Sequence, residues 1–141
     1  MGFNRALVSK DGRLPQPMYA GVGLLSNFLI DNRAAETDET LSIGNVSGGS
    51  IFQGTTLTSD VVYTLPTAAL LLAAGTPFDS MDIGDAYSFM VTNSQVGAFD
   101  VVITEGAGIT PVGANNTLSV PPQSTRVFTL VKTAAATFDL Y

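Results

Sequence analysis

Three aspartates set close together, Asp79, Asp82 and Asp85, are the residues of this chain best placed to do chemistry. Hard cations take carboxylate oxygens, and a loop carrying spaced aspartates can supply several of them. The spacing, however, lacks the alternating ligand positions and the closing glutamate of a calcium loop. A solvated turn accounts for the cluster more simply, with Asp82-Ile83-Gly84-Asp85 expected to turn Ile83 inward. Other routes to catalysis are narrow. The chain has no cysteine and no histidine, which removes thiolate nucleophiles, zinc-finger ligation, disulfides and the commonest general base near neutral pH. Serines and threonines abound, yet no Gly-x-Ser-x-Gly elbow occurs and no imidazole could activate one. Gly106-Ala107-Gly108 lacks the following helix and lysine of a phosphate cradle. Asn45-Val46-Ser47 and Asn115-Asn116-Thr117 match the glycosylation acceptor pattern but are equally ordinary turn residues. Tyr19, Tyr63, Tyr87 and Tyr141 could stack on sugars, although tyrosines within β runs serve packing more often. No catalytic, cofactor or metal site is expected, and the chain is not expected to be an enzyme.

The segments that hold these residues are short. Val61, Tyr63 and Leu65 alternate with Val62 and Thr64; Tyr87, Phe89 and Val91 with Ser88, Met90 and Thr92; Phe99, Val101 and Ile103 with Asp100, Val102 and Thr104. Phe128 and Leu130, then Phe138 and Leu140, continue the pattern, and Ile51, Phe52, Leu118 and Val120 stand beside turn residues. A period of two with turns between short runs predicts an all-β body, expected to be an antiparallel β-sandwich or jelly-roll-like fold. One segment departs from it. Residues 67–74 are helix formers, with Pro66 suited to the first helical position and Gly75 to the position beyond the end. At ~100° per residue, Leu70, Leu71 and Leu72 spread over ~200° of such a helix. One sheet covers only part of that arc, so loops or a neighbouring subunit must cover the rest. These three leucines are the expected subunit interface.

Composition points to assembly. Only 13 % of the 141 residues are charged, against roughly a quarter in an ordinary soluble domain. A surface so weakly solvated is expected to be partly buried against other copies or another protein. The net charge of −6 argues against broad phosphate-backbone binding, so nucleic acid is not an expected partner. No apolar run is long enough to span a bilayer, and the first ten residues show no signal peptide, so synthesis in the cytoplasm is expected without a membrane partner.

The charge is unevenly spread. Residues 1–33 hold four basic groups and two acidic ones, whereas residues 34–141 hold two basic and ten acidic ones. The chain therefore divides into residues 1–35, an extended N-terminal arm or first strand kept open by Pro15 and Pro17, and residues 36–141, the β body. Within the arm, Arg5, Lys10 and Arg13 can steer toward acidic surfaces, while Met18, Tyr19 and Phe28 offer apolar area.

Residues 63–141 resemble a β module of capsid decoration (cement) and head-fibre proteins of tailed bacteriophages. The resemblance rests on Tyr63-Thr64-Leu65-Pro66-Thr67-Ala68-Ala69-Leu70-Leu71, on Ile83-Gly84-Asp85 leading into Tyr87-Ser88-Phe89-Met90-Val91-Thr92-Asn93, and on Glu105-Gly106-Ala107-Gly108-Ile109-Thr110. The turn from Val120 to Thr125 and the closing Ala136-Thr137-Phe138-Asp139-Leu140-Tyr141 complete it. It implies a homotrimer on the outer capsid surface of the virion, bound to the major capsid protein and stabilising the shell, with the arm residues above as the capsid contact. The alternative is a receptor- or glycan-binding knob of a phage fibre.

Overall fold

The computed structural model describes residues 29–33, 36–113 and 118–141. The elements are β1 (Leu29–Arg33), β2 (Glu39–Thr40), α1 (Ile43–Ser47), β3 (Gly49–Gln53), β4 (Val61–Thr64), α2 (Ala68–Leu71), β5 (Ala86–Asn93), β6 (Val101–Thr104), β7 (Ile109–Pro111), β8 (Ser119–Val120), β9 (Ser124–Ala134) and β10 (Thr137–Leu140). The β-rich expectation holds. The alternating segments centred on Tyr63, Phe89, Val101, Phe128 and Phe138 are all strands, with their inward apolar members buried and Tyr87 and Phe99 partly so.

The strands form two sheets, a six-stranded one in the order β1-β3-β5-β9-β10-β7 and a four-stranded one in the order β2-β4-β6-β8. From β1 to β6 the chain changes sheet at every strand, so β1, β3 and β5 stack in parallel in the first sheet. β2, β4 and β6 stack in parallel in the second. Each successive pair is one turn of a flattened coil. The coil ends where β8 runs antiparallel to β6 and β9 antiparallel to β5; β10 then folds back on β9 and pairs in parallel with β7. The antiparallel expectation is thus corrected: five of the eight pairings among the described residues are parallel. A period of two reports that one face of a strand is buried, and it is the same for either strand direction.

Inward side chains of both sheets, among them Ile51, Val61, Tyr63, Phe89, Val91, Ile103, Phe128 and Phe138, make one core. Phe89 and Phe128 face each other across β5 and β9 with ring centroids 5.6 Å apart. A polar rung closes one end. Gln53 and Asn93 occupy matched positions on β3 and β5, both fully buried. The Tyr63 hydroxyl donates to Gln53 Oε1 at 2.5 Å, and Asn93 Nδ2 donates to the carbonyls of Phe99 and Val120, tying the first sheet to the second. Burial pushes the Tyr63 phenol above the usual tyrosine range, which keeps it a donor to Gln53.

Carboxylates fasten each turn of the coil to the next. Asp38, just before β2, accepts the Val62 N–H of β4 at 2.8 Å; Asp60, just before β4, accepts the Asp100 N–H ahead of β6 at 2.8 Å. Asp100 in turn accepts the Ser119 hydroxyl of β8 at 2.6 Å. Glu36 accepts the N–H groups of both Thr58 and Ser59. The Thr58 N–H above all holds its carboxyl below the ordinary glutamate value of 4.5. A lowered folded-state pKa means that this contribution is complete above the ordinary glutamate value and is lost as pH falls below it and through the folded-state pKa. Acid should therefore lower the melting temperature of the wild type, and Glu36→Gln should lower it at neutral pH while flattening its acid dependence. Thermal unfolding followed from neutral pH down through the carboxylate range checks this; parallel curves for the two proteins would refute it.

Both helices among the described residues are single-turn pieces. α1 was not foreseen. Its capping box pairs Ser42 with Asn45 rather than with Glu or Gln, and Gly44 and Val46 are weak helix formers. α2 is shorter than residues 67–74 and starts one residue later than expected. Thr67, not a residue ahead of Pro66, is its N-cap, with its side chain accepting the Leu70 N–H. After Leu72 the chain leaves the helix: the Thr76 hydroxyl takes the Leu71 carbonyl, and Gly75, at φ +88°, donates its N–H to Asp79. Gly106 lets α2 dock, because a Cβ there would lie 2.5 Å from the Leu65 and Pro66 carbonyl oxygens.

Candidate functional site

The sequence-derived candidates separate in space. Arg5, Lys10, Arg13, Met18, Tyr19 and Phe28, the expected capsid contacts, all lie outside the described residues, as do Asn115, Asn116 and Thr117. Of the arm, Leu29–Arg33 forms β1 at the margin of the first sheet. Its one described basic group is engaged within the chain: Arg33 pairs with Asp31 at 2.6 Å and with Glu39, and its guanidinium lies 5.1 Å from the Tyr63 ring centroid. The other described cations are engaged too. Lys132 donates to the Met81 carbonyl at 2.6 Å, and Arg126 donates to the Ser119 carbonyl beside the Phe128 ring.

The aspartates serve turns. Asp79 accepts the Gly75 N–H at 2.7 Å and Asp85 the Asp82 N–H at 2.8 Å. Among the described residues no three His, Cys, Asp or Glu side chains gather in a way that could hold a metal ion. The turn itself differs from expectation in one respect: Ile83 points outward and is 68 % exposed. The turn is pinned instead by the Gly84 N–H to the Lys132 carbonyl and the Lys132 N–H to the Asp85 carbonyl. The three leucines also divide. Leu71 is fully buried in the core of its own chain, Leu72 is half-buried against that core, and only Leu70, at 54 %, faces solvent. Of the three leucines expected at a subunit interface, Leu71 is thus taken up by the core of its own chain, and Leu70 is the one left facing solvent.

What the fold does assemble is a broad uncharged surface, the outer face of the six-stranded sheet. The strand registers set it out in rows. Ile30, Ser50, Met90 and Val127 lie side by side across β1, β3, β5 and β9, and Asn32, Phe52, Thr92 and Thr125 form the next row; Ser50 is buried at 6 % exposure, and Met90, Phe52 and Thr92 are half-buried. On the other side, Ser88 stands beside Thr129, whose backbone exchanges two hydrogen bonds with the exposed Tyr141, and Ala86 aligns with Val131 and Asp139. Ile30 is 66 % and Val127 59 % exposed, a high value for an aliphatic side chain inside a sheet. The hydroxyls pair across strands, Ser88 with Thr129 and Thr92 with Thr125, each at 2.8 Å. Asp139 is the one charged residue in these rows. The shortage of charge is legible in the composition, but the expected subunit contact falls on the helix leucines, since the outward members of a strand read as polar spacers until the register brings them together.

At the end of β5 and β9, an open depression of about 340 Å³ is lined by Thr92, Asn93, Ser94, Gln123, Ser124 and Thr125. Its lining has amides and hydroxyls but no aromatic ring on which a sugar could stack. No helix among the described residues is long and apolar enough to cross a membrane. No protein family, curated protein or solved structure matches the chain.

Proposed function

We propose that this chain is a structural, non-enzymatic virion protein: a homotrimeric decoration protein that binds the major capsid protein on the outer surface of a bacteriophage head and stabilises the shell. The observation that carries an assembly role is the wide, almost chargeless outer face of the six-stranded sheet, a surface costly to leave in water and of no use to catalysis. The phage setting rests on the resemblance of residues 63–141. On this reading the body is a sandwich of the two sheets around their common core, and its function is mechanical, bridging capsid subunits against the pressure of packaged DNA.

The glycan-binding knob is the second reading; the depression beside Gln123 is lined by amides and hydroxyls. Co-sedimentation of the full chain with undecorated capsid shells tests the proposal. Saturable binding that raises the temperature at which the shells rupture is the expected result. Failure to bind shells, together with specific retention on a glycan array, would replace this reading with the knob.

A further inference from the structure

We infer that the surface joining the copies is the outer face of the six-stranded sheet, turned toward a threefold axis so that three chains bury it together. The inference rests on the homotrimer of the proposed function and supplies its interface.

Area is the first argument. Six strands spaced ~4.8 Å apart span ~24 Å, and the eight residues of β5 run ~26 Å, a flat footprint on the order of 600 Å². In a trimer each chain divides that face between two neighbours, so the three faces together bury on the order of 1,800 Å², about the total area of one standard stable interface. Charge is the second. Any ionised group near a symmetry axis meets its own copies, so a self-associating face must be nearly free of charge while a face for a foreign partner need not be. The face has a single carboxylate, Asp139, on β10 next to the marginal strand β7. The rest of the described surface carries acidic groups on its turns, at Asp38, Asp60, Asp79 and Asp82. Hydrogen-bonding character is the third. Apart from Asp139, the polar groups here are hydroxyls and the Asn32 amide, which both donate and accept, so the face can meet another copy of itself. The Ile30–Met90–Val127 row supplies an apolar centre of the kind that the middle of an interface requires.

Val127→Glu tests the inference. Val127 is already solvent-facing in the single chain, so the variant keeps the wild-type circular dichroism spectrum while three carboxylates are forced together in the assembly. Light scattering coupled to gel filtration should give three times the 14.7 kDa chain mass for the wild type. Val127→Glu should dissociate into monomers, with assembly weakened by at least about 100-fold. Val127→Gln should remain trimeric. Val96→Glu, at a site 74 % exposed in the loop between β5 and β6, should remain trimeric as well. A wild-type monomer, a wild-type dimer, or a Val127→Glu variant that stays trimeric would each overturn the inference. The shell-binding assay separates this from the broader proposal: a wild type that binds shells without using this face keeps the capsid role and loses only the interface.

Discussion

Leu71→Asp should leave the chain unfolded rather than merely unassembled. Leu71 has no exposed surface and packs into the core that both sheets share. Removing a buried leucine side chain costs about 2–5 kcal/mol, and the aspartate that replaces it would either bury an unpaired charge or drag its segment out of the core. Small domains are stabilised by only about 5–15 kcal/mol in total, so a loss of this size depletes the native state. Leu70→Asp, one residue earlier and already facing water, should stay within about 0.5 kcal/mol of wild type. Far-ultraviolet circular dichroism and thermal melting of the two variants decide the matter. A folded Leu71→Asp chain would show that the helix does not pack as described.

Deleting residues 1–20 should abolish shell binding and leave the body folded. Among the described residues the core runs from Leu41 to Leu140, and the deletion removes none of these. The deleted stretch contains Arg5, Lys10 and Arg13, three of the six basic residues of the chain. The cations of the described body, Arg33, Arg126 and Lys132, are held by internal partners. Steering toward an acidic shell surface must then come from the N-terminal segment, while Met18, Tyr19 and, beyond the deletion, Phe28 supply apolar area. Changing Arg5, Lys10 and Arg13 together to serine should weaken binding more at low salt than at high salt, where screening already suppresses exposed charges. Co-sedimentation with purified shells measures both. Undiminished binding by the truncated protein would place the grip on the β body.

Much of this protein is decided residue by residue and is legible without coordinates. Alternation at Tyr63, Phe89, Val101, Phe128 and Phe138 specifies strands because a half-buried strand repeats every two residues whatever its neighbours. The missing histidine and cysteine limit the chemistry, and the 13 % charge content points to assembly, because these depend on composition alone. Tertiary structure decided the rest. Strand direction depends on which partners meet, and so the coil of β1 to β6, with its parallel ladders, leaves no trace in a period of two. Whether Leu71 or Leu70 faces water depends on how α2 ends, which Thr76 and Gly75 determine from beyond the helix. Ile83 points outward because the Lys132 backbone pins the turn from a strand nearly fifty residues away. The neutral face exists only once register sets Ile30, Met90 and Val127, distant in the chain, side by side; adjacency across strands is a property of pairing, and pairing is settled by the whole fold.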